Sequence, residues 1–335
     1  MIIGVGISGG VDSAASALLL KRAGHQVLGY TLRMTDADCK RARQVAVKLD
    51  VPLREIDARK QFSSKILDYF AGEYAKGRTP SPCVMCNRIF KFGFLLNAML
   101  ADGCDCMATG HYARIENGRL LRGVDKNKDQ SYFLAQVPKD VFTLVKFPLG
   151  GMLKTDVKQL VYGEYIVSPE EGESQDLCFV GEGDVFGIVA QRYPELLKEG
   201  DIVSMDGHVL GRHKGAFAHT IGQRRGLGLG GGPWFVVKVD IEENKVVVGQ
   251  QKDLCCRRVL LSNMNWMHGK PASEMKVEVQ LRYLMRPRMA SLLPKDEDCA
   301  ELLFEEDAPL APAGQLAVAY VGDEVMASGW IENAT

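Results

Sequence analysis

Residues 4–13, GVGISGGVDS, decide how the first half of the chain folds. Gly4, Gly6 and Gly9 spell G-x-G-x-x-G, the fingerprint of a dinucleotide-binding turn. That fingerprint requires a strand before its first glycine and a carboxylate about 20 residues later. Only three residues precede Gly4, and no acidic residue follows the turn before Asp36. The stretch is therefore not a dinucleotide-binding turn.

A different division of the same stretch predicts a buried strand over residues 2–7, a turn SGGVDS over residues 8–13, and a helix ending near Gly24. Free backbone N–H groups and the helix dipole at such a turn attract phosphate. The turn lacks the G-K-[ST] of a Walker loop. The alternative is a tight turn without a ligand. The string S-G-G-x-D-S is more specific: it resembles the loop of ATP pyrophosphatases, which split ATP into AMP and pyrophosphate to adenylate an oxygen.

Composition limits the class of protein. The chain has 335 residues, 46% hydrophobic and 25% charged, which is typical of a soluble protein with two or three domains. We expect no apolar run of the ~20 residues that a membrane span needs and no signal peptide, hence a cytoplasmic protein without a membrane partner. Nine cysteines do not suggest a secreted disulfide framework. The net charge of −1 means that any nucleic acid must bind to local patches.

The first 165 or so residues alternate strand and helix, which predicts an α/β domain with a doubly wound parallel sheet. Ligands of such sheets lie at the carboxyl ends of the strands, so SGGVDS and ATGH (residues 108–111) are expected to face one cleft. ARIENGRLL predicts a hairpin with an Asn-Gly turn.

The second half predicts a helix in GDVFGIVAQRYPELL and then one or two small antiparallel β-barrels, built from strands and glycine turns that include HTIGQRRGLGLGGGPWFVVKVD. Val277, Val279 and Leu281 alternate with polar residues, which are Lys276, Glu278, Gln280 and Arg282. This pattern predicts a half-buried strand. The expected domains are 1–168, 169–245 and 246–335, with Cys178 near the start of the second.

Cys83 and Cys86 form a C-x-x-C pair in a proline-rich loop before a predicted helix, where the dipole favours thiolates. No second pair supports a structural zinc site. Cys178 lies at the junction of the two halves. The other six cysteines are expected to be structural.

Seven motifs together carry a resemblance to a family. SGGVDS, GRTPSPCVMCN, ATGHYAR, NKDQSYFL, FPLG, SQDLCFVG and TIGQRRGL occur in the order seen in the bacterial tRNA-specific 2-thiouridylases, from Gly6 to about Gln315. The resemblance implies an enzyme that replaces the 2-oxygen of the wobble uridine in tRNA anticodons by sulfur. It also implies ATP and Mg²⁺ as cofactors, and as partners the tRNA anticodon loop and a sulfur donor such as a cysteine desulfurase or sulfur-relay protein.

The resemblance further assigns residues. It implies ATP binding by Gly6, Ile7, Ser8, Gly9, Gly10, Val11, Asp12, Ser13, Leu32 and Gly110. It makes Cys178 the persulfide carrier and Cys86 the thiol that forms a disulfide with it. It implies tRNA contacts by Ser81, Pro82, Cys83, His111, Lys128, Asp129, Gln130, Arg282, Tyr283 and Gln315.

Alternatives remain at several of these positions. Lys128 and Asp129 are otherwise a solvated pair, His111 a helix cap, and Arg224 with Arg225 either a phosphate patch or plain surface charge. The family usually has aspartate where Cys83 stands. Three cysteines can hold a 4Fe-4S cluster by three irons, so Cys83, Cys86 and Cys178 are either cluster ligands or a working pair with a spare thiol. The rival functions are a small-molecule ATP pyrophosphatase and an iron–sulfur or zinc protein that only binds RNA.

Overall fold

A computed structural model describes residues 1–169, 177–179 and 185–335. The chain forms two compact units. The first consists of Met1–Ser63, Cys83–Phe179 and Gly322–Val325. The second consists of Ser64–Pro82, Val180–Val321 and Met326–Thr335.

The first unit contains a five-stranded parallel sheet, which confirms the predicted fold class. The strands are β1 Ile2–Gly6, β2 Gln26–Arg33, β3 Leu53–Asp57, β4 Cys106–Ala108 and, beyond a hairpin, β7 Val145–Lys146. Their order is β3-β2-β1-β4-β7, so the chain runs outward from β1 on one side and then crosses to the other. The strand order therefore reverses between β1 and β4, the place where such sheets bind ligands.

Helices cover this sheet because their small and branched residues pack on the apolar strands. In α1, Ala14, Ala15 and Ala17 are fully buried against a core that includes Ile3 and Val5. The α-helices of the chain are α1 Val11–Arg22, α2 Lys40–Lys48, α3 Arg59–Phe62, α4 Asp68–Ala75, α5 Pro82–Cys86, α6 Leu96–Ala101, α7 Ser131–Leu134, α8 Lys154–Gly163 and α9 Val185–Arg192. Two π-helical segments, Ser63–Leu67 and Asn87–Leu95, link α3 to α4 and α5 to α6.

The helix Pro82–Ala101 corrects one expectation from the sequence. Within the described residues it is the one helix long and apolar enough to cross a membrane, by length and composition only. Its apolar side chains at Phe90, Phe92, Leu95 and Met99 are nevertheless buried in protein. The core helix of a globular protein can be equally long and apolar, so length and composition alone do not indicate a membrane span.

The hairpin predicted around the Asn-Gly turn is confirmed. Strands β5 Ala113–Glu116 and β6 Arg119–Arg122 pair antiparallel, with Asn117 and Gly118 both at positive φ, 52° and 75°. A two-residue turn of this kind requires that conformation at both positions, which asparagine and glycine tolerate. Glu324, from the late segment of the first unit, pairs with Leu121.

The second unit begins its β structure with a four-stranded sheet of order β10-β11-β8-β9. These strands are β8 Gly200–Ser204, β9 Val209–His213, β10 Phe235–Asp240 and β11 Lys245–Gly249. The stretch 219–240, predicted to hold glycine turns and strand, forms a loop over residues 219–234 and then strand β10. Gly226 and Gly228 have φ of 78° and 66°, a backbone conformation that does not continue a strand.

A closed antiparallel barrel follows, as predicted. Strand β12 pairs with β15 on one side and β17 on the other, which completes the ring. Its core is built from side chains such as Val259, Val277, Leu292 and Leu302. The strands are β12 Cys255–Trp266, β13 Met275–Gln280, β14 Arg288–Pro294, β15 Ala300–Pro309, β16 Leu316–Val321 and β17 Glu324–Ala334.

Strand β13 follows the predicted alternation except at one residue. Val277, Val279 and Leu281 are buried as expected. Gln280, predicted to face solvent, is only 7% exposed, and its Nε2 donates a 2.8 Å hydrogen bond to the carbonyl of Met285. The buried Gln280 amide therefore joins the end of the strand to the far side of the turn that follows it.

We predict that Gln280→Met lowers the free energy of unfolding by about 1 kcal/mol, because the buried Met285 carbonyl loses its donor. The loss stays small because Gln280 Oε1 has no partner among the described residues, so the change also removes a buried unsatisfied acceptor. Urea unfolding measures it, with Glu278→Gln on the exposed face as the control. An unchanged midpoint for Gln280→Met would contradict the role of this bond.

Candidate functional site

A cavity of about 230 Å³ opens in the first unit where β1 and β4 end. It brings together seven of the ten residues predicted to bind the nucleotide, namely Gly6, Ile7, Ser8, Asp12, Ser13, Leu32 and Gly110. The remaining three, Gly9, Gly10 and Val11, lie within the same turn. Lys91, His111 and Gln130 also line the cavity. The two sequence segments expected to share a cleft therefore do so.

The turn after β1 is held by its own serines. Ser13 Oγ donates to the carbonyl of Gly10 at 2.9 Å and accepts the N–H of Ser8 at 3.2 Å. Gly9 has φ of 88°, and a Cβ there would lie 2.5 Å from Arg41 Cβ, so no other residue fits. Gly10 then caps α1, whose first N–H groups have no partner within the helix. The turn thus has the free N–H groups that the predicted anion site requires, and phosphate binding there stays a prediction.

Asp12 has two partners that sequence reasoning missed. Its Oδ1 accepts the Lys154 Nζ at 2.6 Å and the Tyr112 hydroxyl at 2.8 Å. The Lys154 side chain is 10% exposed and also lies over the Tyr112 ring, 5.7 Å from its centroid. Lys154 is the first residue of α8, an end where the helix dipole disfavours a cation. A lysine at a helix N-terminus is therefore unusual, and this unusual position could have marked Lys154 from the sequence.

His111 is buried and, at neutral pH, uncharged. Its Nδ1 lies 2.7 Å from Thr109 Oγ1 and its Nε2 lies 3.4 Å from Lys91 Nζ. Burial first, and then the charge of Lys91, holds the pKa of His111 well below its ordinary value. Because a lysine ammonium can only donate, Nε2 accepts and Nδ1 carries the proton. The ring contacts Phe92 and Phe147, and its predicted tRNA contact stays a prediction.

The three cysteines singled out from the sequence all belong to the first unit. Phe179, next to Cys178, packs its ring edge-on to Phe62 at 5.6 Å, and Phe62 packs on Phe90 at the same distance. Cys86 is buried and Cys178 is exposed. The thiols are close enough for their charges to interact, since Cys178 raises the pKa of both Cys83 and Cys86. Residues 174–176, which precede Cys178 in its motif, lie outside the described residues.

Burial and one lysine set the acidity of these thiols. Burial raises the pKa of Cys83, and it raises that of Cys86 to about 11, while Lys91 acts in the opposite direction on both. Desolvation also raises the pKa of Cys178 against the same lysine charge, although that residue is exposed. Lys91 is therefore the cation whose charge lowers the pKa of all three thiols.

The described part of the chain offers no three-ligand metal site. Among residues 1–169, 177–179 and 185–335, no group of three His, Cys, Asp or Glu side chains is placed to hold a metal ion. We therefore derive no step through an iron–sulfur cluster. Mg²⁺ is a different case, because it binds largely through substrate phosphates and one or two carboxylates, and Asp12 supplies a carboxylate in the cavity.

Among the other predicted tRNA contacts in the first unit, Gln130 lines the cavity, and Asp129 precedes it in the chain. Gln130 accepts the Tyr112 N–H at 3.0 Å. Asp129 is 8% exposed, and its carboxylate accepts the N–H groups of Gly123 and Ser131 and the Ser131 hydroxyl, each at 3.0 Å. Asp129 is thus not the solvated partner of Lys128, which is half-buried. It orders the backbone between the hairpin and α7.

In the second unit, Gln315 supports the segment before Ser81. Its Nε2 donates to the carbonyls of Thr79 and Pro80 at 3.1 and 3.2 Å. Ser81 is buried, as is Pro82, and Cys83 follows half-buried at the edge of the first unit. Arg282 is exposed and Tyr283 half-buried on the turn that Gln280 closes. Their contacts with tRNA stay predictions.

Three family models match the chain in succession. The tRNA methyl transferase HUP domain matches residues 1–182, the tRNA methyl transferase PRC-barrel domain residues 188–250, and the aminomethyltransferase beta-barrel domain residues 256–331. The fold and cavity together define a nucleotide-binding α/β protein of the HUP class that carries β-barrels.

Curated relatives make the family more specific. The tRNA-specific 2-thiouridylase MnmA of Geotalea uraniireducens is 37% identical over 98% of this chain and 94% of its own length. That of Syntrophotalea carbinolica is 38% identical over 98% and 97%. The chain belongs to the tRNA-specific 2-thiouridylase family. A solved 4-thiouridine synthetase bound to RNA and ATP aligns with a TM-score of 0.36 at 16% identity, over 58% of this chain and 50% of that one. That score supports no structural argument.

A substitution at Gly110 tests whether ATP binds in this cavity. A Cβ at this residue would lie 2.7 Å from the backbone carbon of Asp12, so we predict that Gly110→Ala displaces the phosphate turn. Overpacking of this kind costs about 1–3 kcal/mol, and a loss of that size in binding free energy weakens ATP binding by about 5- to 150-fold. Calorimetric titration measures it. Gly163→Ala, where a Cβ meets nothing within 4 Å, is the control. Equal ATP affinity in both variants would place the nucleotide elsewhere.

Proposed function

We propose that the protein catalyses ATP-dependent 2-thiolation of the wobble uridine in tRNA anticodons. The observation that carries this proposal is the pyrophosphatase-type turn in one cavity with Lys91, whose charge reaches three thiols of the same unit. A pyrophosphatase acting on a small molecule would not need those thiols. An RNA-binding metal protein would leave the turn unexplained.

The first step we propose is adenylation of the uracil 2-oxygen. A carbonyl oxygen is a poor leaving group, so attack on C2 requires it to become part of a phosphate ester first. The oxygen attacks the α-phosphate, pyrophosphate leaves, and N3 of the base loses its proton. The turn at residues 8–13 binds the phosphates, and Lys154, paired with Asp12, adds positive charge beside them. Mg²⁺ held with Asp12 would neutralise further phosphate charge.

The second step we propose is sulfur transfer through two cysteines. Cys178 is exposed, so a donor protein can load it with a persulfide. The terminal sulfur attacks C2, and AMP leaves with the former 2-oxygen. Cys86 then attacks Cys178 Sγ, which breaks the persulfide S–S bond, releases the thiolated base and forms a Cys86–Cys178 disulfide. An external thiol reductant restores both cysteines. In this route Cys83 is a spare thiol.

Recognition of the tRNA follows the physics of single-stranded RNA, whose bases can be unstacked and bound individually. We propose that the anticodon loop meets residues 81–83 and that Arg282 and Tyr283 contact the RNA from the barrel. The reaction needs reduced thiols, and all nine cysteines are free in the structure, which supports a cytoplasmic location. The sulfur donor would be a cysteine desulfurase or a sulfur-relay protein.

The test of the function is a reaction with purified protein. With ATP, unmodified tRNA and a persulfide donor, we predict AMP and pyrophosphate in step with 2-thiouridine, detected by mass spectrometry of the tRNA nucleosides. Asp12→Asn should abolish both products while the fold is kept, because Asp12 lies in the phosphate turn. Formation of ADP, or AMP release that does not depend on tRNA, would refute the proposal.

The cysteine route has its own test. We predict that Cys86→Ser and Cys178→Ser abolish thiolation but still release pyrophosphate, because adenylation does not need the thiols. Cys83→Ala should keep at least about half of the thiolation rate, as a residue outside the reaction would. The contrary result is a brown, iron-containing protein that loses both iron and thiolation in Cys83→Ala, which would establish the cluster route instead.

A further inference from the structure

Lys91 owes its position to an unusual piece of helix. The segment Asn87–Leu95 is π-helical, so each residue bonds five residues along instead of four. Residues five apart then lie on nearly the same face, which places Lys91 on the side of Cys86. In an α-helix, 3.6 residues per turn would turn the two side chains well apart. The same lysine lines the nucleotide cavity.

No described neighbour neutralises the charge of Lys91. Within the described part of the chain, no carboxylate lies within ion-pair distance of its ammonium. The group 3.4 Å from its Nζ is Nε2 of His111, a neutral ring that accepts a hydrogen bond but brings no negative charge. A half-buried cation without a counter-ion is costly to keep, so it is suited to an anion that arrives with the substrate.

We propose that Lys91 is a further catalytic residue, whose ammonium contacts the α-phosphate of bound ATP on one side and stabilises the attacking sulfur on the other. This inference rests on the proposed function and deepens it. In the adenylation step Lys91 offsets charge on the phosphate that the uracil oxygen attacks. In the transfer step one sulfur–C2 bond forms, the C2–O bond breaks, and AMP leaves as an anion beside the same ammonium.

A purely structural role for Lys91 explains fewer of these observations. A lysine that only supported His111 would not need to lie at the cavity wall, nor to act on Cys83, Cys86 and Cys178 at once. Lys154 makes a useful contrast, because it lies beside the phosphate turn and is paired with Asp12. Its charge does not contribute to the pKa shift of any of the three thiols. The two lysines thus predict different consequences when each is neutralised.

The experiment compares Lys91→Met with Lys154→Met and with Lys60→Met, a change of an exposed lysine on α3. Two readouts do not depend on tRNA: ATP affinity by calorimetry, and the rates at which iodoacetamide alkylates Cys86 and Cys178, followed by peptide mass spectrometry. Removing a neighbouring cation raises a thiol pKa by about one unit, so alkylation in Lys91→Met should slow roughly tenfold. ATP affinity should also fall roughly tenfold.

Lys154→Met is expected to weaken ATP binding but to leave alkylation within about twofold of wild type, and Lys60→Met to change neither. Lys91→Gln, which keeps a donor for His111, should behave like Lys91→Met and separates lost charge from lost fold. If either Lys91 variant changes only one readout, or neither, the inference is wrong. Thiolation of tRNA by the wild type is measured in parallel, so a failure of the proposed function is seen separately.

Discussion

The parallel pairing of β1 with β4 is the constraint on which the cavity depends. Ile3 pairs with Cys106 and Val5 with Ala108, although the chain has passed through β2 and β3 in between. Since both strands run the same way, their carboxyl ends lie at one edge of the sheet. The phosphate turn and the segment of residues 109–111 meet there, so this register forms the cavity that we propose as the nucleotide site. Gly110 permits the approach, because a side chain would collide with Asp12.

The charges around the cavity are arranged in pairs with one exception. Asp12 is matched by Lys154 and by a tyrosine hydroxyl, and buried Asp129 is matched by three N–H or O–H donors. His111 avoids charge by staying neutral in its buried position. Lys91 alone faces no carboxylate in the part of the chain that the structure describes. A cation without a described counter-ion is what we expect in the proposed site, where the substrates are anions and the nucleophile is a thiolate.

The second unit depends on polar side chains placed where an apolar pattern would predict none. Gln280 closes the turn that displays Arg282, and Gln315 holds the two carbonyls that precede Ser81. Arg78 adds an ion pair with Glu332 at 2.6 Å and another with Glu73 at 2.7 Å. Hydrogen bonds to these backbone carbonyls make both segments more rigid.

The amino-acid sequence by itself determined the sheet, the phosphate turn and the hairpin, because each follows from local periodicity or from glycine and asparagine at fixed offsets. It also identified the barrel and, through its motifs, the family. Only the tertiary structure decided which lysine meets which anion: Lys154 reaches Asp12 from a helix 142 residues away. A π-helical turn, invisible in a 3.6-residue pattern, brings Lys91 to the side of Cys86. Burial of Gln280 was likewise missed, because alternation describes one strand, whereas the partner of its amide lies on the turn beyond.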